Sequence, residues 1–160
     1  MSEDKGIETL IVWQKAMAFA IHVQQQIIPL LPKDEKWALG MQMRRSAQSI
    51  PANIAEGYGR YYYQEGVRFC YLARGSLEET YTHLSLAYEL GYISKDAYSK
   101  SESDIQELRR LLNGYISFLK KSKRGDNEPG SAHRIQDDPS HYLLEIEQEN
   151  EDRNSGFVDS

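Results

Sequence analysis

Residues 39–59 read LGMQMRRSAQSIPANIAEGYG, and this stretch decides the fold class. Its apolar side chains recur at steps of three and four residues, namely Leu39, Met43, Ala47, Ile50 and Ile54. That spacing places them on one face of an α-helix, which predicts that this face lies against a core. Pro51 lies inside the pattern and predicts a kink or a break, because proline cannot donate the helical hydrogen bond. Gly57 and Gly59 predict the end of the helix.

The segment before it, residues 9–31, has the helical period on two faces. The stripe predicted to face the bundle core is Leu10, Trp13, Met17, Ala20, Ile27 and Leu31, with Gln24 as its polar member. A helix that is apolar on both faces must be buried on both. The second stripe is therefore predicted to meet another subunit, and it consists of Val12, Ala16, Phe19 and Val23. Asp34 is predicted to cap the second helix.

A third helix is predicted from residues 62–64 to Leu90, with Gly91 at its C-terminus. Its predicted core residues are Phe69, Leu72, Leu77, Leu84 and Ala87. A neighbouring stripe mixes tyrosines with charges, which is typical of an assembly surface, and it consists of Tyr71, Arg74, Glu78, Tyr81 and Tyr88. Arg74 and Glu78 are one turn apart, so we expect them to pair. Cys70, on the same helix, is predicted to be a small core residue.

Ser94 is predicted to cap a fourth helix that ends near Arg124. Its apolar positions are Tyr98, Ile105, Leu108, Leu112, Tyr115 and Leu119. Asn113 and Gly114 are predicted to weaken its middle. Four such segments joined by short connections predict an all-α, antiparallel up-down-up-down four-helix bundle over residues 1–124.

Charge divides the chain into a basic and an acidic part. Residues 1–124 carry 17 Lys and Arg against 14 Asp and Glu, a balance of +3, whereas residues 125–160 carry 2 against 10, a balance of −8. The second part is rich in Gly, Asn, Pro, Ser and acidic residues, which predicts a disordered acidic tail. The tail either competes with an anionic ligand or only raises solubility. Its apolar island, residues 141–146, is either a short binding motif or without a role.

Several classes of function find no support in the sequence. There is no apolar run long enough to cross a membrane and no signal-peptide pattern, so we expect a cytoplasmic protein that does not bind membranes. No phosphate loop, dinucleotide fingerprint or metal-spaced Cys and His cluster is present. We therefore expect a protein without enzyme activity, cofactor, metal or small-molecule substrate.

Two clusters are candidates for contact with nucleic acid. Arg60-Tyr61-Tyr62-Tyr63, near Arg68, combines rings that can stack on bases with cations that neutralise phosphates. The second cluster follows in the fourth helix and consists of Lys120, Lys121, Lys123 and Arg124. Each cluster also has a structural interpretation. The tyrosines can pack a helix junction, and cations at a helix C-terminus stabilise the helix dipole.

Several stretches resemble one bacterial family. They are VWQKA at 12–16, RRSA at 44–47, SIPANIAEG at 49–57, Gly59-Arg60 and ARGSLEE at 73–79. Over roughly residues 7–120 the chain is similar to the four-helix proteins known as 23S rRNA intervening-sequence proteins. The resemblance implies a homopentamer. It also implies kinship with the accessory protein of diversity-generating retroelements, which works with a reverse transcriptase and RNA through a basic surface.

The resemblance and the two clusters together define the candidate nucleic-acid contacts. These are Arg44, Arg45, Arg60, Arg68, Lys120, Lys121, Lys123 and Arg124. Other family-motif positions are predicted to be structural, namely Asn53, Glu56, Gly57, Arg74, Gly75, Ser76 and Glu79. Gly57 would end a helix and Gly75 would permit close approach of two helices. Arg45, Glu56, Arg60 and Arg74 would form either a charge network between helices or an anion site.

Two functions remain open from the sequence. The first is an oligomeric helical scaffold that binds nucleic acid, with RNA and a reverse transcriptase as partners. The second is a protein–protein interaction module that recruits its partner through the acidic tail and gains avidity from its copies. The whole chain has a pI near 5.4, which departs from the basic character of the retroelement accessory proteins.

Overall fold

The computed structural model describes residues 6–126, and the predicted acidic tail lies outside them from residue 127 onward. The described part is all-α and contains four α-helices, as predicted. They are α1 (Ile11–His22), α2 (Leu39–Tyr58), α3 (Tyr63–Glu89) and α4 (Lys95–Ser122). α1 packs against α2 and α4, and α3 packs against α2 and α4. Each helix therefore has two neighbours around one bundle core. Short connections join α2 to α3 and α3 to α4, which makes each of these two pairs antiparallel.

The face of α1 that lies in the core is only partly the predicted one. The stripe predicted to meet another subunit, Val12, Ala16, Phe19 and Val23, is buried in this chain's own core. Trp13 and Met17, predicted to be core residues, are only half-buried. Ala20, Ile27 and Leu31 of the predicted core stripe are nevertheless buried, and a π-helical turn spans Val23–Ile27. Its wider turn shifts the helical register, so residues from two predicted stripes share one buried face.

The connection from α1 to α2 also differs from the prediction. After the π turn the chain forms a 3₁₀ turn at Ile28–Leu30 and another at Glu35–Trp37. Pro29 and Pro32 have no backbone N–H to continue a regular helix. The Asp34 side chain makes no capping hydrogen bond, and α2 begins only at Leu39, so the predicted cap is wrong.

The predicted core face of α2 is confirmed. Leu39, Met43, Ala47, Ile50 and Ile54 are all buried. Pro51 lies inside the helix and is buried, and the helix continues through it to Tyr58 without a break. The hydrogen bond that Pro51 cannot donate to the Ala47 carbonyl is a local loss that the packing around it outweighs.

Part of the predicted core face of α3 is correct. Leu77, Leu84 and Ala87 are buried, whereas Phe69 is half-buried and Leu72 is 49% exposed. Val67, Cys70, Ala73 and Thr80 complete the buried face. Thr80 is polar but satisfied, because its Oγ1 donates to the Ser46 Oγ on α2 at 2.8 Å.

The tyrosine and charge stripe of α3 packs on α4 of the same chain. The Tyr88 ring stacks on the Tyr98 ring with centroids 4.6 Å apart. Glu78 accepts two hydrogen bonds from Arg109, at 2.6 and 2.7 Å, and does not pair with Arg74. The predicted Arg74–Glu78 pair is therefore wrong, and the stripe that we assigned to assembly is an intramolecular helix contact.

The two predicted signals between α3 and α4 are confirmed. Gly91 has φ +76°, which favours glycine, and follows Leu90, the C-cap residue of α3. The Ser94 Oγ accepts a hydrogen bond from the Ala97 N–H at 3.2 Å. Asn113 and Gly114 do not interrupt α4, whose packed face carries Ile105, Leu108, Leu112 and Ile116.

Candidate nucleic-acid interface

Three chain segments meet at one end of the bundle. α2 ends at Tyr58, α3 begins at Tyr63, and the chain that leaves α4 folds back against the start of α3. The Tyr63 N–H donates to the Arg124 carbonyl at 3.1 Å. We call this surface the basic end, and its cations are Arg60, Arg68, Lys120, Lys121, Lys123 and Arg124. The two clusters that are 60 residues apart in sequence thus lie on one surface.

Backbone conformation holds the end of α4 in this place. Lys123 has φ +46° and Gly125 has φ +89°, so the chain turns sharply after the helix. A Cβ atom at Gly125 would lie 2.4 Å from Cδ1 of Tyr62, which only glycine avoids. The Gln64 Nε2 donates to the Asp126 Oδ1 at 3.4 Å. These contacts fix Arg124 beside the start of α3.

Aromatic rings lie beside three of the six cations of the basic end. The Arg124 guanidinium is 4.9 Å from the centroid of Tyr61, and Arg60 is 5.4 Å from that of Phe69. Lys120 and Arg74 both lie by Tyr71, at 5.6 and 5.0 Å. Tyr61 is 48% exposed. A half-exposed ring with cations around it is the arrangement by which proteins stack unpaired bases and neutralise phosphates.

The charges of the basic end are only partly compensated. Arg60 pairs with Glu56, with 2.5 Å between Nη2 and Oε1. Arg68, Lys121 and Lys123 are exposed and form no ion pair within residues 6–126. Since unpaired surface cations release counterions when phosphates replace them, this surface is suited to a polyanion.

Arg44 and Arg45 do not belong to this surface. They lie near the start of α2, and the helix rises about 20 Å between Arg45 and its last residue, Tyr58. Arg44 borders a cavity with Lys36 and Trp37, and Arg45 borders another with Glu79. The eight predicted contacts therefore divide into six in the segments that meet at one end of the bundle and two arginines near the start of α2.

The family-motif residues form several local structures rather than one charge network. Arg74 donates to the Asn113 Oδ1 at 3.2 Å, on the side of α4. Asn53 donates to the Ser49 carbonyl and Ser76 to the Leu72 carbonyl. These roles are structural, but the contacts do not form the charge network between helices that was one of the two alternatives from the sequence.

Neither motif glycine has its predicted role, and the close helix approach predicted at Gly75 is at Gly57 instead. Gly57 lies inside α2 and does not end it, and a Cβ there would lie 2.9 Å from the Phe69 Cβ. The carbonyl oxygen of Gly66, on α3, would be 3.1 Å away. At Gly75, where we expected close helix approach, a Cβ would meet nothing within 4 Å. The close crossing of α2 and α3 is therefore at Gly57 and Gly66.

Sequence reasoning missed Tyr71 and Gly125 as parts of the basic end. Tyr71 had been assigned to an assembly stripe, and no sequence signal indicated that Lys120 would lie against its ring. Gly125 follows the basic cluster of α4, and our sequence analysis places it at the start of the acidic tail. A glycine directly after a basic helix C-terminus is a signal for a left-handed turn, and it pointed to the fold-back.

Two side chains of the described residues have pKa values that burial raises strongly. Burial raises the pKa of the Cys70 thiol to about 12, so it is protonated at neutral pH and unsuited to nucleophilic attack. Burial, with smaller effects of Cys70 and Tyr58, also raises the pKa of Tyr115 to about 12. Within residues 6–126 no group of three His, Cys, Asp or Glu side chains is placed to hold a metal ion. None of the helices there is long and apolar enough to cross a membrane.

A family model described as "23S rRNA-intervening sequence protein" matches residues 8–114. The chain belongs to this family. A crystal structure at 1.70 Å resolution of a protein of unknown function from the S23 ribosomal protein family of Bacteroides thetaiotaomicron has a similar fold. The two chains are 25% identical with a TM-score of 0.61, and the match covers 66% of this chain and 98% of that one. A comparison with curated proteins found no match.

Proposed function

We propose that this member of the 23S rRNA intervening-sequence protein family is a non-enzymatic, oligomeric helical scaffold that binds single-stranded nucleic acid at its basic end. The observation that carries the proposal is the meeting of two distant basic and aromatic clusters on one surface. Arg124 lies 4.9 Å from the Tyr61 ring there. Alternating cations and half-exposed rings suit unpaired bases, because each base offers a face for stacking.

Oligomerisation would strengthen the field at this surface. Residues 1–124 carry a balance of +3, so five copies would carry about +15 before the tails are counted. The charge of +3 on a single copy attracts RNA weakly, whereas an oligomer offers several basic ends to one RNA and gains avidity. By the family resemblance, the protein that would share this RNA is a reverse transcriptase. Co-purification of the two on a shared RNA tests that part.

The test is a salt titration of binding to a labelled single-stranded RNA, followed by fluorescence anisotropy. Lys121→Ala/Lys123→Ala removes two cations of the basic end that form no ion pair in residues 6–126. We expect weaker binding and a plot of log affinity against log salt that is shallower by about 1.4, since each contact with single-stranded phosphate contributes about 0.7.

Arg44→Ala/Arg45→Ala is the matched control, because it removes the same two charges from a different part of the bundle. We expect the control to leave the salt slope unchanged. Equal effects of the two double variants would mean that only net charge matters and that no site exists at the basic end. Binding that neither variant changes would remove the nucleic-acid function from this surface.

A second candidate function is a protein–protein interaction module whose acidic tail recruits the partner. The observation that favours it is the balance of −8 in residues 125–160. In that case, replacing the carboxylates of the tail with amides abolishes capture of a basic partner protein, and the variants of the basic end have no effect on it. Loss of binding on substitution of the basic end therefore indicates the nucleic-acid function, and loss of capture on substitution of the tail indicates the protein-interaction function.

A further inference from the structure

A shallow apolar groove runs between α1 and α2, on the side of the bundle away from the basic cluster of α4. It has a volume of about 350 Å³ and is lined chiefly by Trp13, Met17, Ile21, Pro51, Ala52 and Ala55. Ile21 is 48% exposed. A groove of this size lies in the range of natural ligand clefts, and its mostly aliphatic walls suit aliphatic side chains.

One end of the groove is positively charged. Gln24, from the π-helical turn, lines both the groove and a second cavity of about 240 Å³. The charged side chains of that second cavity are Lys36 and Arg44, and Trp37 beside them is 78% exposed. An occupant that continues from the groove into this cavity therefore passes from apolar walls to two cations.

We propose that this groove is a docking site for a short protein segment in which aliphatic residues are followed by carboxylates. The aliphatic side chains would lie against Ala52 and Met17, and the carboxylates would pair with Arg44 and Lys36. Charge complementarity selects this chemistry, because the only charged groups that line the two cavities, within the described residues, are cations. RNA would leave the apolar walls unused.

The distance between the apolar groove and the two cations determines how far apart the aliphatic residue and the carboxylate must be in the docked segment. Ala52 and Arg44 are eight residues apart on α2, which is about 12 Å along the helix axis. Such a distance is spanned by about four residues of an extended segment, or by eight residues of a helical one. A carboxylate is therefore required four or eight positions after the leading aliphatic residue.

Residues 139–153 of this chain, PSHYLLEIEQENEDR, have that composition and serve as a probe. Glu147 follows Leu143 by four positions, and Glu151 follows it by eight. Supplied as a separate labelled peptide, this sequence tests the groove without any assumption about where the tail of the chain lies.

The receptor is the full chain carrying Leu143→Ser/Leu144→Ser, which prevents its own copy of the sequence from competing. We expect saturable binding of the labelled peptide by fluorescence anisotropy. Ala52→Glu, which places a carboxylate in the groove, is expected to weaken binding at least tenfold, and so is Arg44→Glu. Gln106→Glu and Arg110→Glu introduce the same side chain at exposed positions of α4 and should leave the affinity unchanged.

Three results would overturn the proposal. The first is a peptide affinity weaker than about 1 mM for the unsubstituted groove. The second is equal binding to the groove variants and to their α4 controls, with circular dichroism showing all four folded. The third is that Ala52→Glu lowers the particle mass in light scattering but leaves peptide affinity intact, since a second copy would then occupy the groove. None of these results depends on whether the basic end binds RNA.

Discussion

At the scale of single residues, the two motif glycines differ only in what surrounds them. A methyl group at Gly57 would press on Phe69 and on the Gly66 backbone across the α2–α3 crossing, whereas one at Gly75 would enter open space. We expect Gly57→Ala to lower the free energy of unfolding by about 1–3 kcal/mol through overpacking. Gly75→Ala should raise it by about 1 kcal/mol, because alanine favours a helix interior.

Urea unfolding of both variants checks this pair. Each substitution adds the same methyl group to a helix, so the difference between them reports the tertiary contact alone. If the two variants shift the free energy of unfolding in the same direction, the close crossing at Gly57 is wrong.

Cys70 offers a second prediction at this scale. Its thiol is fully buried and its pKa is raised to about 12, so almost no thiolate exists at pH 8 in the folded chain. We expect no labelling of the native protein by a maleimide within minutes, and one label per chain in urea, since the chain has a single cysteine. Rapid labelling without denaturant would show that α3 opens or packs differently.

At the scale of helices, α1 and α4 are joined beside the π-helical turn by a polar contact. The His22 Nε2 lies 3.4 Å from the Oγ of Ser101, which is buried. Burial lowers the pKa of His22, and the charge of Lys100 lowers it further against the opposing effect of Asp104. His22 is therefore neutral in the folded chain at a pH where the unfolded chain already binds a proton.

A lowered folded-state pKa contributes stability that is fully present above the unfolded value of 6.5 and lost as the pH falls below it. We expect the wild-type chain to lose more of its free energy of unfolding between pH 7.5 and 5 than His22→Gln, which cannot titrate. Urea unfolding at the two pH values measures this. Identical losses in both proteins would contradict a half-buried His22 whose pKa is lowered.

At the scale of the whole molecule, self-association stays a prediction, and the outer face of α3 is one candidate surface for it. The second stripe of α1 is inside the core, whereas Leu72 and Leu86 lie 14 residues apart on the outer face of α3 and are 49% and 47% exposed. We expect light scattering to give a mass well above the 18.4 kDa of one chain, and about 92 kDa if five copies assemble.

Leu72→Glu/Leu86→Glu is expected to reduce this mass toward that of one chain, because it places charges in an apolar contact. Ile11→Glu is the matched control, since Ile11 is 59% exposed on α1 and lies outside this face. A mass of 18.4 kDa for the unsubstituted chain would remove the oligomeric part of the proposed function.

The sequence by itself determined the four helices, most of their bounds and the core face of α2. These features depend on local chemistry, because apolar period, glycine after a helix and serine before one act within a few residues. It also indicated both basic clusters, and it indicated the family through the runs at 49–57 and 73–79. A local sequence signal predicted the structure correctly wherever only one helix placement was compatible with it.

Only the tertiary structure decided which of two apolar faces of α1 is buried, since both satisfy the helical period and a π-helical turn changes the register between them. It also decided that Glu78 pairs with Arg109 rather than with Arg74, because a partner on a neighbouring helix is invisible to spacing along the chain. The contact between Arg124 and Tyr61 is likewise between residues that are far apart in the sequence. Contacts between residues distant in sequence depend on how helices pack, and packing is a property of the whole bundle.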